Sequence, residues 1–364
     1  MRILAIETSC DDTGISILEV KISGKNDIFR ILANNTNSQI KIHAEYGGVF
    51  PALAKREHQK NLPIIFEKTL KQAKIKIEKI DLITVTYGPG LEPALWTGIV
   101  FAKELGDKYK IPIVPVNHME GHIFSIFPQK GKTFTVTQNK KIFPVLSLLV
   151  SGGHTELVLV KNFMKYKKIG GTRDDASGEA FDKVARMLGL PYPGGPEISR
   201  LADQARKLRI KNEKLRIKLP RPMMYSKDYD FSFSGLKTAV LYLIRDLKKE
   251  HSNILQNDKM IQTIAREFED AVVEVLVHKT IKAIKQYKIK TLIVGGGVSA
   301  NSYLQKQMKL KIKKEKLQTE IHFPSRDLTG DNALMIGIAG YFQYKYKKTA
   351  KNSKSIKAIG NLSL

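Results

Sequence analysis

Two histidines four residues apart, His118 and His122, are the part of this 364-residue chain most able to do chemistry. At about 100° per residue, an i, i+4 spacing on a helix puts both imidazoles on one face, close enough to hold one metal ion. A third, oxygen ligand must then come from elsewhere, and Asp331, in the run Thr329-Gly330-Asp331-Asn332, is the favoured candidate. Two imidazoles and one carboxylate leave coordination positions open, as a catalytic metal requires. Glu120 sits two residues after His118, about 160–200° from the ligand face, so it is badly placed as a base on metal-bound water, unlike the Glu of a zinc-protease HExxH helix. The bland alternative is a polar His pair on a surface helix.

The elements that must position these residues can be read from periodicity. Apolar runs predict strands at 2–7, 15–20, 28–33, 82–86, 113–116, 143–150, 155–160 and 291–294. Helices are expected over 53–73, 92–109, 118–126, 177–188, 195–208, 235–249 and 257–286, with a last one beginning near Asp331. The stretch 128–141 reads as polar loop. Two successive units each open with strand, small-residue turn, strand, and then turn to helices and parallel-type strands. That plan is a duplicated α/β fold of two lobes with a cleft between them. The expected lobes are 1–120 plus 332–350, and 121–331, with 351–364 a flexible Lys-rich tail.

Three turns fall at strand ends: 8–14, 151–154 and 295–301. Ser151-Gly152-Gly153 lets backbone N–H groups approach an anion without Cβ interference, and Gly295-Gly296-Gly297 suits close approach to an adenosine. No Walker A sequence and no GxGxxG opening a helix occurs at them. Four carboxylates lie close together at Asp174, Asp175, Glu179 and Asp182; in so basic a chain a functional cluster is favoured over the plain alternative, an acidic helix start.

The net charge of +26 calls for a polyanionic partner, most simply nucleic acid. Residues 200–221 carry nine basic and two acidic side chains, and 341–364 six lysines and no acid. The rest is Lys-rich throughout, so solvated faces are the competing explanation. A short echo at 207–211 and 214–218 reads as a local surface expansion. A single cysteine, Cys10, rules out an internal disulfide and fits a reducing compartment. No apolar run approaches bilayer length. The start of the chain turns acidic at once, without a signal-peptide core, so a cytoplasmic location is expected.

Taken together, nine segments resemble one family from the first strand to the last helix: IETSCDDTG (6–14), HAEYGGVFP (43–51), GPGL (88–91), HMEGH (118–122), LVSGGHTEL (149–157), DDASGEAFDKVARMLGLPYPGGP (174–196), FSFSGLKT (231–238), GGGVSAN (295–301) and GDNALMIG (330–337). The family is TsaD, the tRNA N6-adenosine threonylcarbamoyltransferases formerly called glycoproteases, and HTE after SGG resembles its bacterial branch. The resemblance implies an actin/Hsp70/sugar-kinase-like (ASKHA) fold. It implies a divalent metal, iron or else zinc, on His118, His122 and Asp331. It implies transfer of threonylcarbamoyl from threonylcarbamoyl-AMP to N6 of the adenosine 3′ to the anticodon in ANN-decoding tRNAs, with TsaB-like and TsaE-like partners and no membrane. Substrate-contacting positions carry over to Leu149, Val150, Ser151, Gly152, Gly153, Asp182, Gly195 and Asn301. Asp12 stands where many bacterial members have Glu and is a candidate acceptor for the N6 proton. The basic segment 205–218 and the Lys-rich tail depart from the family pattern.

Overall fold

The computed structural model describes residues 1–128, 131–137, 142–208, 217–250, 257–347 and 355–364. The echo at 207–218 and the start of the Lys-rich tail fall mostly outside them. Among the described residues no helix is long and apolar enough to cross a membrane.

Chain contacts divide the molecule into two compact units, 1–143 with 160–167 and 322–364, and 144–159 with 168–321. These limits differ from those drawn on the sequence, because β6 (Thr133–Thr137), expected as loop, pairs antiparallel with β3 and keeps the first unit running to Phe143.

The first unit is built on a six-stranded sheet of order β5-β4-β1-β2-β3-β6. Its strands are β1 (Arg2–Glu7), β2 (Asp12–Ser23), β3 (Asn26–Ser38), β4 (Leu82–Gly88) and β5 (Ile113–Asn117) in addition to β6. β1 pairs antiparallel with β2 and parallel with β4, which pairs parallel with β5. β1 is apolar at successive positions because both its faces are covered. Alternation sends Ile3 and Ala5 into one core and Leu4 and Ile6 into the other. The first core is closed by α10 (Ala333–Lys347), the second by α2 (Pro51–Ala73) and α3 (Glu92–Tyr109). A short α1 (Ile40–Ala44), not foreseen from the sequence, precedes α2.

α10 is buried on every side from Ala333 to Phe342, so it reads as an apolar helix without a polar stripe. Its glycines let it lie directly on the sheet: a Cβ at Gly340 would stand 2.3 Å from Thr84 Cγ2. Residues 355–364, expected to belong to a flexible tail, instead pack on this unit. Ile356 is buried in the second core, Ile359 N–H donates to Tyr87 O at 2.9 Å, and Gly90 N–H donates to Gly360 O at 3.0 Å. Apolar side chains spaced along that segment supply what the lysines before it lack.

The second sheet has the order β11-β10-β7-β8-β9. It is formed by β7 (Val145–Val150), β8 (Thr155–Asn162), β9 (Lys165–Gly171), β10 (Thr291–Gly295) and β11 (Glu320–His322). β7 and β10 are parallel. β9 was missed in the sequence because its lysines break the apolar pattern. The helices here are α5 (Ser177–Met187), α6 (Gly194–Lys207), α7 (Ser234–Glu250), α8 (Asp258–Tyr287) and α9 (Ser302–Lys314).

Candidate metal centre

The His pair lies on α4 (His118–Phe124), which follows β5 directly and ends two residues earlier than expected. Asn117 starts the helix: its side-chain oxygen accepts the Met119 N–H at 2.8 Å. Every residue of α4 is buried, which removes the surface-helix alternative. The helix is pressed onto α10 at both ends. Gly121, between the histidines, is needed for that approach, since a Cβ there would come within 2.9 Å of Ile336 and Met335. Phe124 stacks on Phe342 with ring centroids 5.1 Å apart.

Asp331 lies just before α10, which begins at Ala333, in keeping with a last helix starting near it. Asn332 fixes this helix start. Its Oδ1 accepts the Met335 N–H at 3.0 Å, capping α10, while its Nδ2 donates to Gly330 O at 2.9 Å. With α10 packed on α4, Asp331 comes to the two rings: Oδ1 stands 3.2 Å from His118 Nε2 and 3.4 Å from His122 Nε2. One donor atom from each residue fits within a 4.8 Å circle.

The two rings are prepared differently. His118 Nδ1 lies 3.2 Å from Glu7 Oε2 and 3.2 Å from Ser9 Oγ, leaving Nε2 for the shared position with Asp331. His122 is completely buried, and neither ring nitrogen makes a hydrogen bond among the described residues. A buried imidazole without a partner is costly. A divalent ion on the Nε2 atoms and Asp331 would supply what is missing, so the residues fit a metal. The acid–base balance shows the same strain. Burial alone would push Asp331 up, but the facing His118 and His122 rings hold it well below the ordinary carboxylate range. Burial disfavours the His118 cation, yet Asp331 and Glu7 overcome that and raise it well above the usual value. Burial lowers His122.

Glu7 was missed by reading the sequence. It ends β1, is fully buried, accepts the Ser9 N–H at 2.6 Å and the Thr86 hydroxyl, and carries His118 Nδ1. A carboxylate on the far nitrogen of a metal-binding His fixes the ring and its tautomer. The only signal available was its place in the segment 6–14; nothing local marks it.

Glu120 turns away from the ligands, as its spacing required. Burial pushes its carboxyl up to about 7, with Lys347 3.8 Å away as a weak counter-charge. Asp12 opens β2 in the same unit. Burial, with Asp331, Asp11 and Glu7 adding to it, raises its carboxyl to about 7, and its Oδ1 is buried without a hydrogen bond.

The positions carried over as substrate contacts all lie in the second unit. Leu149 and Val150 are buried at the end of β7. Ser151, Gly152 and Gly153 form the turn into β8; a Cβ on either glycine would meet nothing within 4 Å, so both backbones are open. Ser151 O and Gly152 O accept the N–H groups of Gly178 and Glu179, tying this turn to the start of α5. Asp182 accepts the Gly194 N–H at 2.7 Å and so fixes the start of α6, where a Cβ on Gly195 would stand 3.8 Å from Phe181 Cβ. Asn301 caps α9 through the Leu304 N–H at 2.8 Å, and its amide donates to Ser199 and Glu269. The structure thus brings Asp182 and Gly195 to one corner. Of the acidic cluster, Asp174 instead caps α7 from the 232–234 turn, and Asp175 pairs with Lys183 and Lys237.

The model of a family described as TsaD, tRNA N6-adenosine threonylcarbamoyltransferase, matches residues 30–338. A Thermosipho africanus protein of that name is 45% identical over the whole of both chains. One from Staphylococcus epidermidis is 44% identical over 94% of this chain and 92% of its own. Among solved structures, the crystal structure of T. kodakarensis HypF superposes with a TM-score of 0.56 at 12% identity, over 95% of this chain and 48% of that one, a likeness of fold alone.

Proposed function

The chain belongs to the TsaD family, bacterial branch, and is a transferase of the ASKHA-like fold class; from that membership we propose that it moves threonylcarbamoyl from threonylcarbamoyl-AMP to N6 of the adenosine 3′ to the anticodon in ANN-decoding tRNAs, with a metal on His118, His122 and Asp331. The observation that carries the metal-dependent reading is the buried His122 ring, whose Nδ1 has no hydrogen-bond partner among the described residues and whose Nε2 stands 3.4 Å from Asp331 Oδ1.

In the reaction the adenine N6–carbonyl bond forms, the bond from that carbonyl to the phosphate oxygen breaks, AMP leaves and N6 loses a proton. The donor is already activated, so alignment and charge stabilisation are the main tasks. A bound divalent ion, iron or else zinc, would supply Lewis acidity and a template. His118, His122 and Asp331 would hold it. Glu7 keeps the His118 proton on Nδ1. The open amides of Gly152 and Gly153 receive phosphate or carbamate oxygens, while Leu149 to Ser151 set that turn. Asp182, Gly195 and Asn301 shape the seat of the donor's adenosine. Asp12, with its carboxyl near 7, is the acceptor for the N6 proton. TsaB-like and TsaE-like proteins are the partners in this reading, and the cytoplasm its setting.

The test is transfer of labelled threonine from threonylcarbamoyl-AMP to an ANN-decoding tRNA by wild type and His118→Ala, with and without those partners. Incorporation by wild type that is lost, together with bound metal, in the folded variant supports the reading. Full activity in metal-stripped variant protein refutes the metal's role.

A further inference from the structure

A further concentration of charge lies outside the two basic segments 200–221 and 341–364. Residues 278–316 hold eleven lysines and a single acid, Glu315. They comprise the end of α8, β10 and all of α9. α9 buries Leu304, Met308 and Ile312, one per turn, so Lys306, Lys309, Lys313 and Lys314 stand on its exposed side. Lys285 of α8 and Lys311 of α9 meet over Glu315, at 2.8 and 3.1 Å, so one carboxylate serves two ammoniums. The charge is felt locally: His278 on α8 is lowered by burial and then by Lys311, Lys282, Lys279 and Lys285 together.

Beside this face an aromatic ring is held in water. Tyr225 is 82% exposed and meets the His278 ring edge-on, centroids 5.2 Å apart. Its loop is tied down from α8. Lys279, with no exposed surface, donates to Ser226 Oγ at 2.6 Å and lies 3.3 Å from Asp228 Oδ1. Lys282 donates to the carbonyls of Ser226 and Lys227, both at 2.8 Å. Burying a lysine is costly, and here the result is a fixed loop that presents a tyrosine to solvent. The centre described above uses none of these residues.

We infer that the α8–α9 face, with Tyr225 at its edge, docks the sugar-phosphate backbone of the RNA substrate and stacks one unpaired base on Tyr225; this rests on the tRNA reading above. Dispersed ammoniums neutralise phosphates, and a rigid aromatic ring accepts any base by stacking. The segment has no arginine, so it lacks the forked donors that read base edges. The face therefore holds RNA without reading its sequence.

The experiment is filter binding of the full chain to an unmodified ANN-decoding tRNA transcript across about 50–300 mM KCl. The triple variant Lys227→Gln, Lys285→Gln, Lys311→Gln is compared with Tyr225→Ala and with a control triple in the other unit, Lys71→Gln, Lys74→Gln, Lys76→Gln. All five lysines outside Lys311 are exposed or nearly so, and Lys311 is half-buried, so folding is checked by thermal melting. The face triple is expected to bind at least ~10-fold more weakly, with a log–log salt slope shallower by about 2–3. Tyr225→Ala should lose about tenfold with the slope unchanged. The control triple should lose less than about threefold, since it removes the same charge from outside the proposed face. Equal losses and slopes in the two triples would overturn the docking face while leaving tRNA as the substrate. A wild type that binds no tRNA at any salt would overturn the tRNA reading itself. Displacement by poly-L-glutamate as readily as by transcript, with Tyr225→Ala indifferent, would assign the face to an acidic protein instead.

Discussion

Replacing Glu7 by Gln isolates how the candidate metal centre is prepared, because the substitution keeps shape and volume and removes only one acceptor. In the native site, Oε1 takes the Ser9 N–H at 2.6 Å, and Oε2 takes the Thr86 hydroxyl and faces His118 Nδ1 at 3.2 Å. A glutamine can satisfy one side only. With its oxygen toward His118, its NH2 confronts the Ser9 N–H, and a buried donor is left unpaired at about 1–3 kcal/mol. With its NH2 toward His118, Nδ1 becomes the acceptor and the proton moves to Nε2, the atom that must bind the metal. The first cost is paid with and without metal, but there the ring loses the carboxylate's charge behind it, and in the second the ligand nitrogen is protonated, so affinity should fall by about 10–100-fold, the range found when a carboxylate behind a ligand histidine is lost. Competition titration of Zn2+ against a chromophoric chelator, at one pH with metal-free protein, measures it. The metal-free variant should itself lose about 1–3 kcal/mol, since one partner of Glu7 is left unpaired and the His118 ring loses a counter-charge. Unchanged Zn2+ affinity would refute the orienting role of Glu7, and with it the assignment of Nε2 as the His118 ligand atom.

Three further outcomes follow from local geometry. Burial holds the Asp12 carboxyl at about 7 against an unfolded value of 3.8; the folded state therefore binds this proton more tightly, and its contribution to stability is present below pH 4 and lost as pH rises to 7. Asp12→Asn should be nearly neutral at pH 4 and should stabilise metal-free protein at pH 8 by about 2 kcal/mol, half the value of the full shift because the side chain is partly solvated; equal changes at both pH values in thermal melts would refute this. Asn117→Ala removes the α4 cap and should cost about 1 kcal/mol by chemical denaturation, with no loss meaning that the Met119 N–H finds another acceptor. Gly340→Ala and Gly152→Ala should differ sharply: the first drives a Cβ to 2.3 Å from Thr84 and should cost about 1–3 kcal/mol, the second meets nothing and should melt as wild type while slowing threonylcarbamoyl transfer.

What was legible in the sequence is what spacing or contiguous pattern can encode. His118 and His122 declare a shared face through one helical turn, and β1 declares burial on both sides through its unbroken apolar run. Asp331 could be picked out as a carboxylate candidate, but its arrival beside the rings depends on α10 lying against α4, which Gly121 and Gly340 permit by offering no Cβ. Glu7 shows the limit of such reading. It lies 111 residues from His118, and only the parallel order β5-β4-β1 brings the end of its strand beside the start of α4. Such a neighbour leaves no periodic trace, since the pairing is written in sheet order and not in spacing. Charge is distributed in a related way. Lysines at 200–221 and 341–364 stand out along the chain, whereas those on α8 and α9 are diluted by the apolar positions each helix must bury. Folding removes the apolar residues from view and leaves exposed ammoniums on both helices, so a basic face is assembled from 39 residues of mixed composition.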